Sequence, residues 1–122
     1  MLILIAEDDE HLRKVLQIRL LKDGYQVIVA TDGQDALDKL SSHFPDLVIT
    51  DIVMPYISGL EVVKFVKANT ERQVPVIVLS ALGQEEIVQE AFLLGADDFI
   101  VKPFSLAEFV LRLRRFALMI KN

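Results

Sequence analysis

Leu47-Val48-Ile49-Thr50-Asp51 runs an apolar, β-branched segment straight into one carboxylate, and the rest of the chain repeats that grammar. A run of Leu, Val, Ile and Thr without polar alternation is the composition of a strand buried on both faces. Upstream, Leu2-Ile3-Leu4-Ile5-Ala6 leads into Glu7-Asp8. Downstream, Val76-Ile77-Val78-Leu79 leads into Ser80, and Phe99-Ile100-Val101 leads into Lys102-Pro103. Strands are read near 2–6, 25–30, 46–50, 75–79 and 98–101. Between and after them lie helical patterns near 10–22, 34–43, 59–69, 84–94 and 106–120. Leu12, Val15, Leu16 and Leu20 form one apolar stripe, Ala36, Leu37 and Leu40 a second, and Ile87, Ala91 and Leu94 a third. Strict alternation of strand and helix implies a parallel α/β sheet covered by helices on both faces.

Local signals mark the joints. Gly24, Gly33, Gly59, Gly83 and Gly95 fall at element edges, and Pro45 and Pro75 stand just before strands. Ser58 with Glu61, and Ser105 with Glu108, have the spacing of capping boxes. Asp9 or Glu10 is expected to cap the first helix. His11 and His43 lie on helical patterns and are read as solvent-facing, with no assigned role.

With 122 residues, 52% of them hydrophobic and 25% charged, the chain is expected to form one domain, 1–122, with a true core. There is no cysteine, so disulfides and thiolate metal sites are excluded. A formal net charge of −5 disfavours direct nucleic-acid binding, whose affinity comes largely from neutralising phosphates. The start lacks the basic flank and length of a secretory signal, and no apolar run approaches the roughly 18 residues a membrane span needs. A cytoplasmic location is the expectation.

In open parallel sheets the carboxyl ends of the strands line the ligand crevice. Glu7, Asp8, Asp51 and Lys102 are therefore expected to converge. Clustered carboxylates repel unless a cation or proton intervenes. A hard ion such as Mg²⁺ takes oxygen ligands and keeps several waters, so Asp8 and Asp51 could hold it, with Glu7 acting through water. A lone carboxylate leaving a central strand can attack phosphorus to give an aspartyl phosphate, and Asp51 is the candidate. Lys102 would neutralise the phosphoryl oxygens, and Ser80 would supply a hydroxyl. Taken singly, Asp51 reads as a turn residue and Lys102 as a solvated lysine, but the register of Asp51 with Glu7, Asp8 and Lys102 favours the site; Ser80 could equally cap the fourth helix, and Phe99 could equally be core.

Ala6-Glu7-Asp8-Asp9, Thr50-Asp51-Ile52-Val53-Met54-Pro55, Leu79-Ser80-Ala81 and Val101-Lys102-Pro103-Phe104 resemble, in order, the four signatures of response-regulator receiver domains of two-component signalling. Gly95-Ala96-Asp97-Asp98-Phe99 adds to the likeness, which covers nearly the full chain. The resemblance implies a flavodoxin-like, doubly wound sheet of strand order 2-1-3-4-5 with five helices. It implies Asp51 as phosphoacceptor, Glu7 and Asp8 as the acidic pair, and the Val53 carbonyl as a further Mg²⁺ ligand. Lys102 resembles the phosphate-pairing lysine, followed by a cis peptide bond. Ser80 and Phe99 resemble the switch pair, in which the hydroxyl moves onto the phosphoryl group and the ring turns inward. Phe99 lacks the hydroxyl of the tyrosine common there, so an inward ring is expected to be more populated before phosphorylation. A histidine kinase or phosphotransfer protein is the implied donor. The domain then acts as a regulator that catalyses only its own phosphorylation and hydrolysis.

The final helix is mostly apolar. Phe109, Leu113, Phe116 and Ile120 account for a core stripe, leaving Val110, Leu111, Leu118 and Met119 in need of cover. This helix, with the fourth helix and fifth strand, is expected to form an output or homodimer surface. Arg112, Arg114 and Arg115 could instead lay their stems over the patch. Asp98 and Arg112 match an intersubunit ion pair of the winged-helix transcription-factor subfamily, whereas Val88 and Met119 stand where that subfamily carries charges. Tyr56-Ile57 departs from the small, often glycine-containing loop of the family. Two other functions compete. An aspartate-nucleophile phosphatase wants an acid two residues after its nucleophile, where Val53 stands. A receiver-shaped module that binds partners without phosphorylation fits less well with an intact Asp51 and Lys102. A nucleotide triphosphatase is excluded by the missing Gly-Lys-Ser/Thr loop.

Overall fold

In a computed structural model the described residues are 1–121. The elements alternate as read: β1 (Leu2–Ala6), α1 (Glu10–Lys22), β2 (Gln26–Ala30), α2 (Gly33–Ser42), β3 (Leu47–Asp51), α3 (Gly59–Ala68), β4 (Val76–Ser80), α4 (Glu85–Leu93), β5 (Asp98–Val101) and α5 (Leu106–Lys121). All strand pairings are parallel, and the sheet order is β2-β1-β3-β4-β5.

Alternation of side chains across the pleat divides the apolar runs between two cores. Ile3, Ile5, Leu47, Ile49, Ile77, Leu79 and Ile100 face α1 and α5, where Leu16, Leu20, Phe109 and Leu113 meet them. Leu4, Ala6, Val48, Val76, Val78 and Phe99 face the opposite side, against Ala36 of α2, Val62, Val63 and Val66 of α3, and Ala91 of α4. Burial on both faces is why these strands show no polar alternation.

β3 and β4 lie one residue later than the sequence suggests. At the start of β3, Asp46 gives its N–H to the Leu2 carbonyl at 2.7 Å, but its carboxylate takes the Leu2 N–H at 2.8 Å. That side chain replaces the backbone partner of a regular ladder. At the far end Asp51 still pairs with Leu79, so the carboxylate is rooted in the sheet rather than in a loop.

Helix starts are held by side chains. Asp9 accepts from Leu12 N at 3.2 Å, Asp32 from Asp35 N at 2.8 Å and Ser58 from Leu60 N at 3.1 Å. Ser105 accepts from Glu108 N at 3.0 Å. The second half of that capping box is replaced: Glu108 turns its carboxylate to Arg112 at 3.3 Å. Asp32→Ala is expected to lower stability by about 1 kcal/mol, read as a fall in the urea midpoint without a change in slope.

Val110 corrects the sequence-based surface. It is buried in the α1–α5 core beside Phe109 and Leu113. The inward stripe of α5 takes two positions per turn, Phe109 with Val110 and Phe116 with Ala117, so it is wider than a one-residue-per-turn pattern. Leu111, Leu118 and Met119 remain exposed. No helix among the described residues is long and apolar enough to cross a membrane.

Candidate functional site

β1, β3 and β5 deliver their terminal charges to one pocket. Glu7 follows β1 and extends its pairing, giving its N–H to the Ala30 carbonyl at 3.1 Å. Lys102 follows β5 and does the same, bonding the Ser80 carbonyl at 2.8 Å. The Lys102–Pro103 peptide bond is cis. Lys102 Nζ lies 2.6 Å from Glu7 Oε1 and 2.7 Å from Asp51 Oδ2. One ammonium therefore bridges two carboxylates. Asp51 Oδ1 accepts the Ile52 N–H at 2.6 Å, so both oxygens of Asp51 are held.

Burial sets the electrostatics. Glu7 is 0% exposed and Asp51 6% exposed, while Asp8 is open to solvent. Burial pushes the Glu7 carboxyl up from 4.5 to about 7; the Lys102 hydrogen bond pulls against that shift and the Asp51 charge adds to it. For Lys102, burial alone favours the neutral amine, but hydrogen bonds to Asp51 and Glu7 outweigh it and raise its pKa above 10.5.

Carboxylate oxygens of Glu7, Asp8 and Asp51 all lie within 4.8 Å of one another. Three hard oxygen donors at that spacing suit a divalent ion that prefers oxygen. Val53, the fourth residue assigned to the ion, lies in the exposed loop after β3.

Ser80 is fully buried at the end of β4, and its hydroxyl accepts the Leu82 N–H at 3.0 Å. Phe99 is 8% exposed and packs in the α2–α4 core, next to Val78 across the β4–β5 pairing. The ring is thus turned inward in this structure. Asp98 and Arg112 meet within one chain: Arg112 Nη1 is 2.8 Å from Asp98 Oδ1, and Arg115 Nη2 is 3.8 Å from Oδ2. Asp98 is buried, so as found this pair is not displayed for a second subunit.

Three neighbours of the pocket went unnoticed as site residues in the sequence. Arg13 Nη1 donates to the Glu7 carbonyl at 2.9 Å, anchoring the β1–α1 turn. Gly59 admits the close approach of α3 to β3: a Cβ there would sit 1.7 Å from the Asp51 carbonyl oxygen. Thr50 donates its hydroxyl to that same carbonyl at 2.9 Å. Tyr56, singled out as a departure from glycine, has φ +71°, the left-handed region that glycine enters without strain.

Residues 3–114 match the family model described as the response regulator receiver domain. Response regulator RR06 of Streptococcus pneumoniae is 44% identical over 112 residues, which are 92% of this chain and 51% of that protein. The chain thus spans about half the length of the curated relatives it matches. The non-phosphorylated receiver domain of HemR from Leptospira biflexa superposes with TM-score 0.87 at 34% identity, covering 94% of this chain and 92% of that one. Response regulator TrrA of Thermotoga maritima, solved in complex with Mg²⁺-BeF, superposes with TM-score 0.83 at 32% identity, covering 94% and 97%.

Proposed function

Since this chain belongs to the response-regulator receiver family, we propose that it is a phosphorylation switch whose phosphoacceptor is Asp51. The observation that carries the reading is a carboxylate with each oxygen held, Oδ1 by Ile52 N–H and Oδ2 by Lys102, beside two further carboxylates at ion-binding distance.

An Asp51 oxygen attacks the phosphorus of a phosphohistidine on a histidine kinase or phosphotransfer protein. The P–N bond breaks, its electron pair stays on the imidazole nitrogen, and that nitrogen takes a proton from water. An acyl phosphate on Asp51 results, and water later cleaves it to restore the carboxylate. Asp8, Asp51 and the Val53 carbonyl would hold Mg²⁺, with Glu7 contributing through water. When bound, the ion supplies positive charge to the phosphoryl oxygens. Lys102 pairs with the same oxygens, exchanging Glu7 and Asp51 for the phosphoryl group. Ser80, released from Leu82 N, donates its hydroxyl to the phosphoryl group, and Phe99 fills the space it leaves.

The output is a change in the α4–β5–α5 face. Its exposed Leu111 and Met119, with Leu118 between them on α5, suit a homodimer or another protein partner. In a dimer, Arg112 would exchange Asp98 of its own chain for that of a second copy. A net charge of −5 supports protein rather than nucleic-acid partners for this region. It is a regulator that returns unchanged from each phosphorylation cycle, not a turnover enzyme.

Incubation with Mg²⁺ and phosphoramidate, read by intact mass, tests the assignment. One phosphoryl group is the expected gain, and an unchanged mass of the folded wild type would overturn it.

A further inference from the structure

We propose that Thr50 is a positioning residue for the Asp51 carboxylate, acting through the peptide plane between Asp51 and Ile52. This rests on Asp51 as phosphoacceptor and adds a residue to that site. Thr50 is fully buried in the middle of the sheet, and its side chain points away from Asp51, toward the α2–α4 side. It sits in a row with Ala6 and Val78, its partners across β1 and β4. A hydroxyl in such apolar surroundings is unfavourable unless it is bonded. Here it is bonded, at 2.9 Å, to the carbonyl oxygen of Asp51.

That carbonyl belongs to the peptide whose N–H holds the carboxylate. Ile52 N donates to Asp51 Oδ1 at 2.6 Å. The peptide is planar, so fixing the direction of its C=O fixes the direction of its N–H. Gly59 bounds the same oxygen from the α3 side, where a Cβ would overlap it. Gly59 N in turn donates to the Ile52 carbonyl at 2.8 Å. Thr50 and α3 together keep the plane from rotating, and the plane keeps Asp51 Oδ1 aimed. Valine would fill the same volume without the donor, leaving the plane free to tilt and the carboxylate torsion broader. Serine would keep the donor and lose only a methyl group.

The experiment compares wild type, Thr50→Val and Thr50→Ser with phosphoramidate and Mg²⁺, following phosphorylation rate against donor concentration and the NMR shift of the Ile52 amide proton. Thr50→Val is expected to lower the maximal rate about tenfold at an unchanged half-saturating donor concentration, with Thr50→Ser within about twofold of wild type. The Ile52 amide proton, strongly deshielded by its short bond to a carboxylate, moves upfield in Thr50→Val and stays in place in Thr50→Ser. Wild-type rates and shift in Thr50→Val would overturn the proposal. So would equal impairment of both variants, since the methyl group rather than the hydroxyl would then matter. Failure of the wild type to take up phosphate sinks the phosphoacceptor reading instead, and the amide shift still decides whether Thr50 orients the plane. If Thr50→Val does not fold, Thr50→Ala takes its place: a lowered rate and an upfield Ile52 shift that Thr50→Ser does not share support the hydroxyl's role, and wild-type rate and shift in Thr50→Ala overturn it.

Discussion

Asp51→Asn protein incubated with Mg²⁺ and phosphoramidate keeps its unmodified mass, while the wild type gains one phosphoryl group. Asparagine matches the shape and still accepts the Ile52 N–H through its carbonyl oxygen, so the local fold survives. It cannot act as an anionic nucleophile. Its amide nitrogen, placed where Oδ2 now accepts from Lys102, would set donor against donor. One carboxylate also leaves the cluster of Glu7, Asp8 and Asp51, weakening the site for a divalent ion. Loss of a nucleophile with its partners intact lowers rates by at least about a thousandfold, so uptake falls below detection. Phosphoryl gain by Asp51→Asn at the wild-type rate would place the acceptor elsewhere.

Lys102→Met is expected to destabilise the metal-free protein by about 3 kcal/mol above neutral pH and by much less in acid. Methionine keeps much of the stem but leaves Glu7 and Asp51 facing each other without a counter-charge. Removing one partner of a buried ion pair costs on the order of 3–5 kcal/mol because the other charge stays desolvated. The sign with pH follows from Glu7. Its folded pKa is raised from 4.5 to about 7, so between those values the native state holds a proton that the unfolded state has lost. Stability of the metal-free wild type therefore falls as pH rises through that window. Without Lys102 the lowering influence on Glu7 disappears, and the decline extends to higher pH. Lys102 itself has a raised pKa, so on the alkaline side its contribution fades only as pH climbs through the folded value. Urea unfolding in chelator at about pH 5 and about pH 8 reads the difference. An equal loss at both values would mean that Lys102 acts through packing alone. Added Mg²⁺ is expected to recover part of the alkaline loss, since an ion that binds only the folded state stabilises it.

Much of this was legible because sheet-end charges are conspicuous after buried apolar runs. Glu7, Asp51 and Lys102 follow such runs directly, and a parallel sheet leaves their ends little freedom but to converge. Asp8 was readable by adjacency. What could not be read were contacts that depend on how two elements meet. Thr50 looks like any β-branched strand residue until its hydroxyl is seen on the Asp51 carbonyl. Gly59 looks like any helix-edge glycine until α3 is laid against β3. Val110 was misjudged because the inward stripe of α5 is wider than its most regular spacing. Asp98 and Arg112 were read as an intersubunit pair, and only the packing of α5 on β5 shows the two side chains meeting inside one chain.

β5 has a mechanical corollary. It is four residues long, and every one of them is paired to β4 in unbroken register. Lys102 caps one end and Asp98 forms the other, so a rod of roughly 13 Å joins the ammonium that bridges Glu7 and Asp51 to the Arg112 clasp. The strand leaves no slack between the carboxylate pocket and that clasp, and along β5 the one aromatic ring on the shaft is that of Phe99.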